Sequence, residues 1–147
     1  MKKITAIILC AALCLCTLCS CSSKKSTVLT VGQAEVDNEI FAYFYSEVYT
    51  LAESTDGDVN ATDVLINQAV DKCLEYVASI TLFDKLQLTL TADEKKNIAN
   101  SVEEEWKMYG SYYTKAGISK QTVSKVAEAK EYRTRLLLYY FGEGSEY

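Results

Sequence analysis

Apolar positions recur at helical spacing in four stretches of the chain, after one short stretch that alternates. Val28-Leu29-Thr30-Val31 is a β-branched run, Gly32-Gln33 a turn, and Ala34-Glu35-Val36 a returning strand. A hairpin this small is marginal alone and needs something to pack on. Asp37 then caps a first helix that carries Ile40, Phe41, Phe44, Tyr45, Val48, Tyr49 and Ala52. Its stripe is wide, with an aromatic edge. Residues 53–58 are a polar, turn-rich loop, and Asn60 or Thr62 is positioned to cap the next helix. That helix is long, and its core face is predicted from Ile66, Val70, Cys73, Leu74, Val77 and Ile80. After an extended link, Leu88-Thr89-Leu90, the segment Thr91-Ala92-Asp93-Glu94 is a capping box. The third helix follows with Ile98, Val102, Trp106 and Tyr109, and Gly110 marks its end. Residues 111–118 read as a loop that displays Tyr112 and Tyr113. Ser119 caps a last helix with Val123, Val126, Ala127, Leu137 and Tyr140 inward, ended by Phe141-Gly142-Glu143-Gly144. The expected fold is all-α, about four helices with a short N-terminal β-hairpin. No internal repeat is visible, and the absence of Pro removes one obstacle to long helices.

The first residues obey a different pattern. Lys2 and Lys3 precede 15 apolar-rich residues from Ile4 to Leu18, and Leu18-Cys19-Ser20-Cys21 follows. Charged start, apolar run, small residue and cysteine make a bacterial lipoprotein signal, with Cys21 as the lipidated new N-terminus. Among the five cysteines of this segment, only Cys21 has a small residue before it and a Leu three positions before it. The rival reading is an uncleaved membrane anchor, but the run is shorter than the ~20 residues a spanning helix needs. The expected organisation is therefore a signal peptide over 1–20, lipidated Cys21 with a polar tether over 21–27, and one domain over 28–147. The predicted location is the extracytoplasmic face of the cell membrane, held by a diacylglyceryl group.

Charge and cysteine content narrow the function. Lys2 and Lys3 are the only charges in residues 1–20, so 13 basic and 20 acidic residues remain, a net charge of −7. An acidic domain does not suit nucleic acid or the headgroups of an anionic bilayer. Beyond Cys21 the only cysteine is Cys73, so the domain has no internal disulfide and no thiolate metal site. Cys73 lies in an apolar pattern and reads as a small buried hydrophobe. The chain has no His, which leaves Ser, Cys and Thr nucleophiles without their usual base. Asp56-Gly57-Asp58 lacks the ligand series of a calcium loop. Glu103-Glu104-Glu105 reads as a solvated helix face, and the sequon Asn60-Ala61-Thr62 as a chance match at a helix start. Neither a catalytic residue nor a cofactor is predicted.

Three segments, taken in order, resemble a known family. Residues 30–41 (Thr30-Val31-Gly32 through Ile40-Phe41) look like a short β-turn leading into an acid-capped helix. Residues 84–94 look like the link into a capped third helix, and Ala116-Gly117-Ile118-Ser119 like the start of a last one. Together they resemble the N-terminal chaperone region of SurA-like and PrsA-like foldases, related to the peptide-binding domain of trigger factor. The likeness spans roughly residues 28 to 141. It implies binding of unfolded or extended exported polypeptides without ATP. The family's parvulin domain, with its catalytic His, has no counterpart here, so prolyl isomerisation is not implied.

The aromatic residues are where such binding would sit. Eleven Tyr, four Phe and one Trp fall largely into three clusters: 41–49, 106–113 and 132–141. Tyr and Trp offer large contact area at low entropic cost. Phe41, Tyr45, Trp106, Tyr109, Tyr112 and Tyr113 are the predicted client-binding residues, in a groove between the first and third helices. Two other function classes fit the same sequence. One is a lipid-anchored adaptor that docks a specific envelope partner; the other is a foldase whose isomerase domain is supplied elsewhere or lost by truncation.

Overall fold

In the computed structural model, residues 25–31, 34–55 and 57–142 are described. Two strands and four helices follow in order: β1 (Thr27–Val31), β2 (Ala34–Asp37), α1 (Asn38–Ser54), α2 (Thr62–Lys85), α3 (Ala92–Lys115) and α4 (Lys120–Phe141). This is the expected all-α fold with a minor hairpin. The predicted signal peptide, Cys21 and the Gly32-Gln33 turn lie outside the described residues, as do Asp56 and the end of the chain after Gly142. Among the described residues, no helix is long and apolar enough to cross a membrane.

The strands pair antiparallel, with Thr27 opposite Asp37 and Leu29 opposite Val36. Val28 is therefore an extra residue on β1, a bulge, and its side chain is exposed. Val36 turns inward and is fully buried. The fold takes in more of the predicted tether than expected. Lys25 pairs with Asp37 and Glu39 at 3.4 and 3.7 Å, and the Ser26 amide donates to Asn38 Oδ1. The packed structure therefore includes Lys25 and Ser26 of the predicted tether.

α4 is the shared wall of the bundle. It packs on α2, α3 and α1, while α1 also lies along α2 and the hairpin covers α1 and the near side of α2. The core joins Val36, Ile40, Phe44, Ala69, Cys73, Val77, Val102, Ile118, Val123 and Val126. Three of the four helix starts follow side-chain chemistry. Asp37 accepts from the amides of Glu39 and Ile40, Ser119 from that of Thr122, and Thr91 with Glu94 completes the capping box.

Three expectations are corrected. α2 presents Leu65, Ala69, Cys73, Val77 and Phe83 inward, whereas Ile66 and Leu74 are exposed. Cys73 and Val77 lie inward as predicted, but apolar residues occur nearly all round the helix, so periodicity does not separate Leu65 and Ala69 from Ile66 and Leu74. Ala61 occupies its N-cap position with no side-chain bond, so neither Asn60 nor Thr62 caps it. In α4, Leu136 is buried and Leu137 exposed, the reverse of the predicted face there.

A fourth correction shapes the site. α3 does not end at Gly110 but runs to Lys115, so Tyr112 and Tyr113 are helical, not in a loop. Gly110 is buried under Trp106, where a Cβ would lie 3.0 Å from the indole. Close approach of the ring, not helix termination, explains that glycine. The stop comes at Gly117, whose φ of +74° is left-handed. There the Ile118 amide reaches the Tyr113 carbonyl at 2.8 Å and the Gly117 amide reaches that of Thr114 at 3.2 Å. This is a Schellman cap. A Cβ on Gly117 meets no atom within 4 Å, so any penalty there comes from the backbone alone. Gly117→Ala is expected to lower stability by about 1 kcal/mol. Chemical denaturation of the full-length protein measures it; an unchanged midpoint would contradict the cap.

Candidate functional site

Residues of α1 and α3 line a cleft of about 440 Å³. Tyr43, Ser46, Glu47 and Thr50 of α1 line one side, and Tyr109, Tyr112 and Tyr113 of α3 the other. At 3.6 residues per turn, positions 43, 46, 47 and 50 share one face of α1, and 109, 112 and 113 one face of α3. The extension of α3 past Gly110 makes the second set possible.

Tyr43 and Tyr113 join the two walls. Their ring centroids are 5.7 Å apart. Both hydroxyls donate to Oε1 of Glu105, at 3.1 and 2.6 Å. Burial, together with the Glu105 carboxylate, pushes both phenols well above their ordinary range. They act as fixed donors, not as acids. Tyr109 and Tyr112 each stand at 60° to the Tyr113 ring, at 6.3 and 5.9 Å. Both are about half exposed, at 52% and 48%. Trp106 stacks on Tyr113 at 6.2 Å and closes the helix behind it.

Charge in the cleft wall is balanced. Glu47 Oε1 accepts from Lys130 Nζ at 3.1 Å. Its Oε2 lies 3.4 Å from Lys72 Nζ, yet is buried and accepts no hydrogen bond among the described residues. Lys130 also donates to the Tyr43 hydroxyl at 3.4 Å, and its ammonium sits 5.3 Å from that ring's centroid.

Of the six predicted client-binding residues, the structure brings Tyr109, Tyr112 and Tyr113 to the cleft, with Trp106 packed behind them. Phe41 and Tyr45 do not line it. They stack on one another at 6.3 Å and pack against the core from another side of α1. Tyr43, Ser46 and Thr50 were missed. Tyr43 falls between Ile40 and Phe44 on the core side, which an i, i+3, i+4 count from Ile40 would have included.

Two further features bear on chemistry. Cys73 is fully buried, and burial raises its thiol to about 11, so it is a core residue with little thiolate character. A second apolar surface lies between α2 and α4, lined by Ala78, Leu82, Leu136, Leu137 and Tyr140. Phe141, 81% exposed, follows on the same helix end. Comparisons with family models, curated proteins and solved structures gave no match.

Proposed function

We propose that this protein is a membrane-anchored, extracytoplasmic holdase that binds unfolded or extended segments of exported polypeptides without ATP. The observation that carries the reading is the cleft between α1 and α3. Its α3 wall is aromatic, its α1 wall mostly polar, and Tyr43 and Tyr113 meet at its base on Glu105. Tyrosines combine an apolar ring with a polar tip, which suits clients of varied sequence. Serine and threonine on the facing wall offer hydrogen bonds to an extended backbone. Affinity would come mainly from apolar burial and would be weak and reversible. The lipid on Cys21 would keep the cleft near the point where exported chains emerge.

Full-length protein in non-ionic detergent, added in molar excess to a chemically denatured client, is expected to suppress light scattering on dilution. Tyr109→Ala/Tyr112→Ala should lose most of that protection. Both side chains are exposed, so the double variant should melt within a few degrees of the wild type. Undiminished aggregation beside the wild-type protein would sink the proposal.

The exposed Leu137, Leu138 and Phe141 favour a second reading, a lipid-anchored adaptor for one folded partner. It predicts a single stoichiometric complex, insensitive to Tyr109 and Tyr112 but broken by Leu138→Lys.

A further inference from the structure

We infer that the α1–α3 cleft selects client segments that place a cationic side chain, arginine above lysine, against Tyr109 and Tyr112, beside Tyr113. The inference rests on the client-binding reading and adds the chemistry of the preferred client. An aromatic ring carries negative charge density on its faces, and a cation held there is attracted electrostatically. Among the described residues, four tyrosines line this one cleft, and Glu47 is the one formally charged residue in its lining. The ring cluster already holds an ammonium of the chain itself, since Lys130 lies 5.3 Å from the Tyr43 centroid.

The surrounding charges decide how strong the preference is. Lys72 and Lys130 both pair with Glu47, and the Tyr43 and Tyr113 hydroxyls both donate to Glu105, so neither carboxylate is left free to draw the ligand in. Attraction must come from the exposed faces of Tyr109 and Tyr112, helped by the net charge of −7 on residues 21–147. Arginine gains over lysine because its planar guanidinium stacks on aromatic faces and is more weakly hydrated than an ammonium. Its fork of donors can also bond the phenol oxygens of the exposed Tyr109 and Tyr112. A glutamate at the same place would meet both the ring faces and the domain's negative field. Partly exposed cation–π contacts correspond to a preference of roughly fivefold to tenfold over a neutral residue of similar size.

The test uses full-length protein in non-ionic detergent and three peptides with the same aromatic flanks and a central Arg, Gln or Glu. Calorimetry should rank them Arg, Gln, Glu, with Arg about five to ten times tighter than Gln. Tyr109→Phe/Tyr112→Phe keeps the ring faces and should keep the preference; Tyr109→Ala/Tyr112→Ala should remove it. Equal binding of Arg and Gln peptides would overturn the cation preference and leave the client reading standing. A preference that survives the double alanine change would also overturn it, because the domain's overall charge would then be the cause. Binding of none of the three would overturn both.

Discussion

Tyr43→Ala is expected to lower stability by about 4 kcal/mol, a value typical of a large buried aromatic cut back to alanine. Tyr43 is only 7% exposed and sits where α1, α3 and α4 meet. Its ring lies edge-on to Phe44 at 5.6 Å and beside Tyr113 at 5.7 Å. Truncation opens a cavity there, removes one donor from Glu105 and uncovers Lys130. Small domains have only about 5–15 kcal/mol in total, so this variant should be partly unfolded at moderate temperature. Tyr43→Phe separates the contributions. It keeps the ring and loses one hydrogen bond to a carboxylate, which costs about 1.5 kcal/mol. Urea denaturation followed by circular dichroism measures both. Equal effects of the two changes would mean that the hydroxyl, not the packing, holds the junction.

Glu39→Ala should be the next most damaging change, at about 3 kcal/mol. Glu39 is 5% exposed at the start of α1, a position where a carboxylate would ordinarily face water. Instead it reaches the start of α4. Oε2 accepts from the Ser119 amide at 3.1 Å, the Ser119 hydroxyl at 2.5 Å and the Thr122 hydroxyl at 2.6 Å. It therefore caps α4 from another helix and faces the positive end of the α4 dipole. Removing it leaves the fully buried Thr122 hydroxyl without this acceptor.

The same contacts set a pH dependence. Burial alone would raise the Glu39 carboxyl, but the bonds from Ser119 and Thr122, aided by Lys25, outweigh it and pull the group down to about 2 from 4.5. The folded state therefore holds its proton less tightly than the unfolded state. The stabilisation is complete above the unfolded value and is lost as pH falls from about 5 toward 2, an effect of about 2 to 3 kcal/mol. Glu39→Gln should flatten this part of the wild-type profile. A profile that stays as steep would contradict the assignment.

Three of the four helix starts were legible in the sequence because they depend on neighbours a few residues away; the start of α2, at Ala61, has no side-chain cap to read. Asp37, Thr91 with Glu94, and Ser119 are local signals, and each caps the helix it was expected to cap. Helix faces were less legible where apolar residues surround the axis. α2 has Val64, Leu65 and Ile66 in a row, so periodicity could not separate the buried one from its neighbours. On α1, Tyr43-Phe44-Tyr45 posed the same difficulty, and the tyrosine at the bundle's centre was passed over for the one beside it. Gly110 misled because glycine marks both helix ends and close approaches, and only the position of Trp106 distinguishes them. Glu39 was hidden for a different reason: its partners lie 80 and 83 residues away in sequence.

The central claim is that the α1–α3 cleft binds extended polypeptide, and an array of unstructured peptides tests it most directly. Full-length wild-type protein and Tyr109→Ala/Tyr112→Ala would be applied to the same array, and Leu138→Lys would serve as a control outside the cleft. The account predicts broad, weak binding to aromatic-containing peptides by the wild type and the Leu138 variant, with most of that signal lost in the double alanine variant. Binding lost only in the Leu138 variant, or absent from a well-folded wild-type protein, would contradict it.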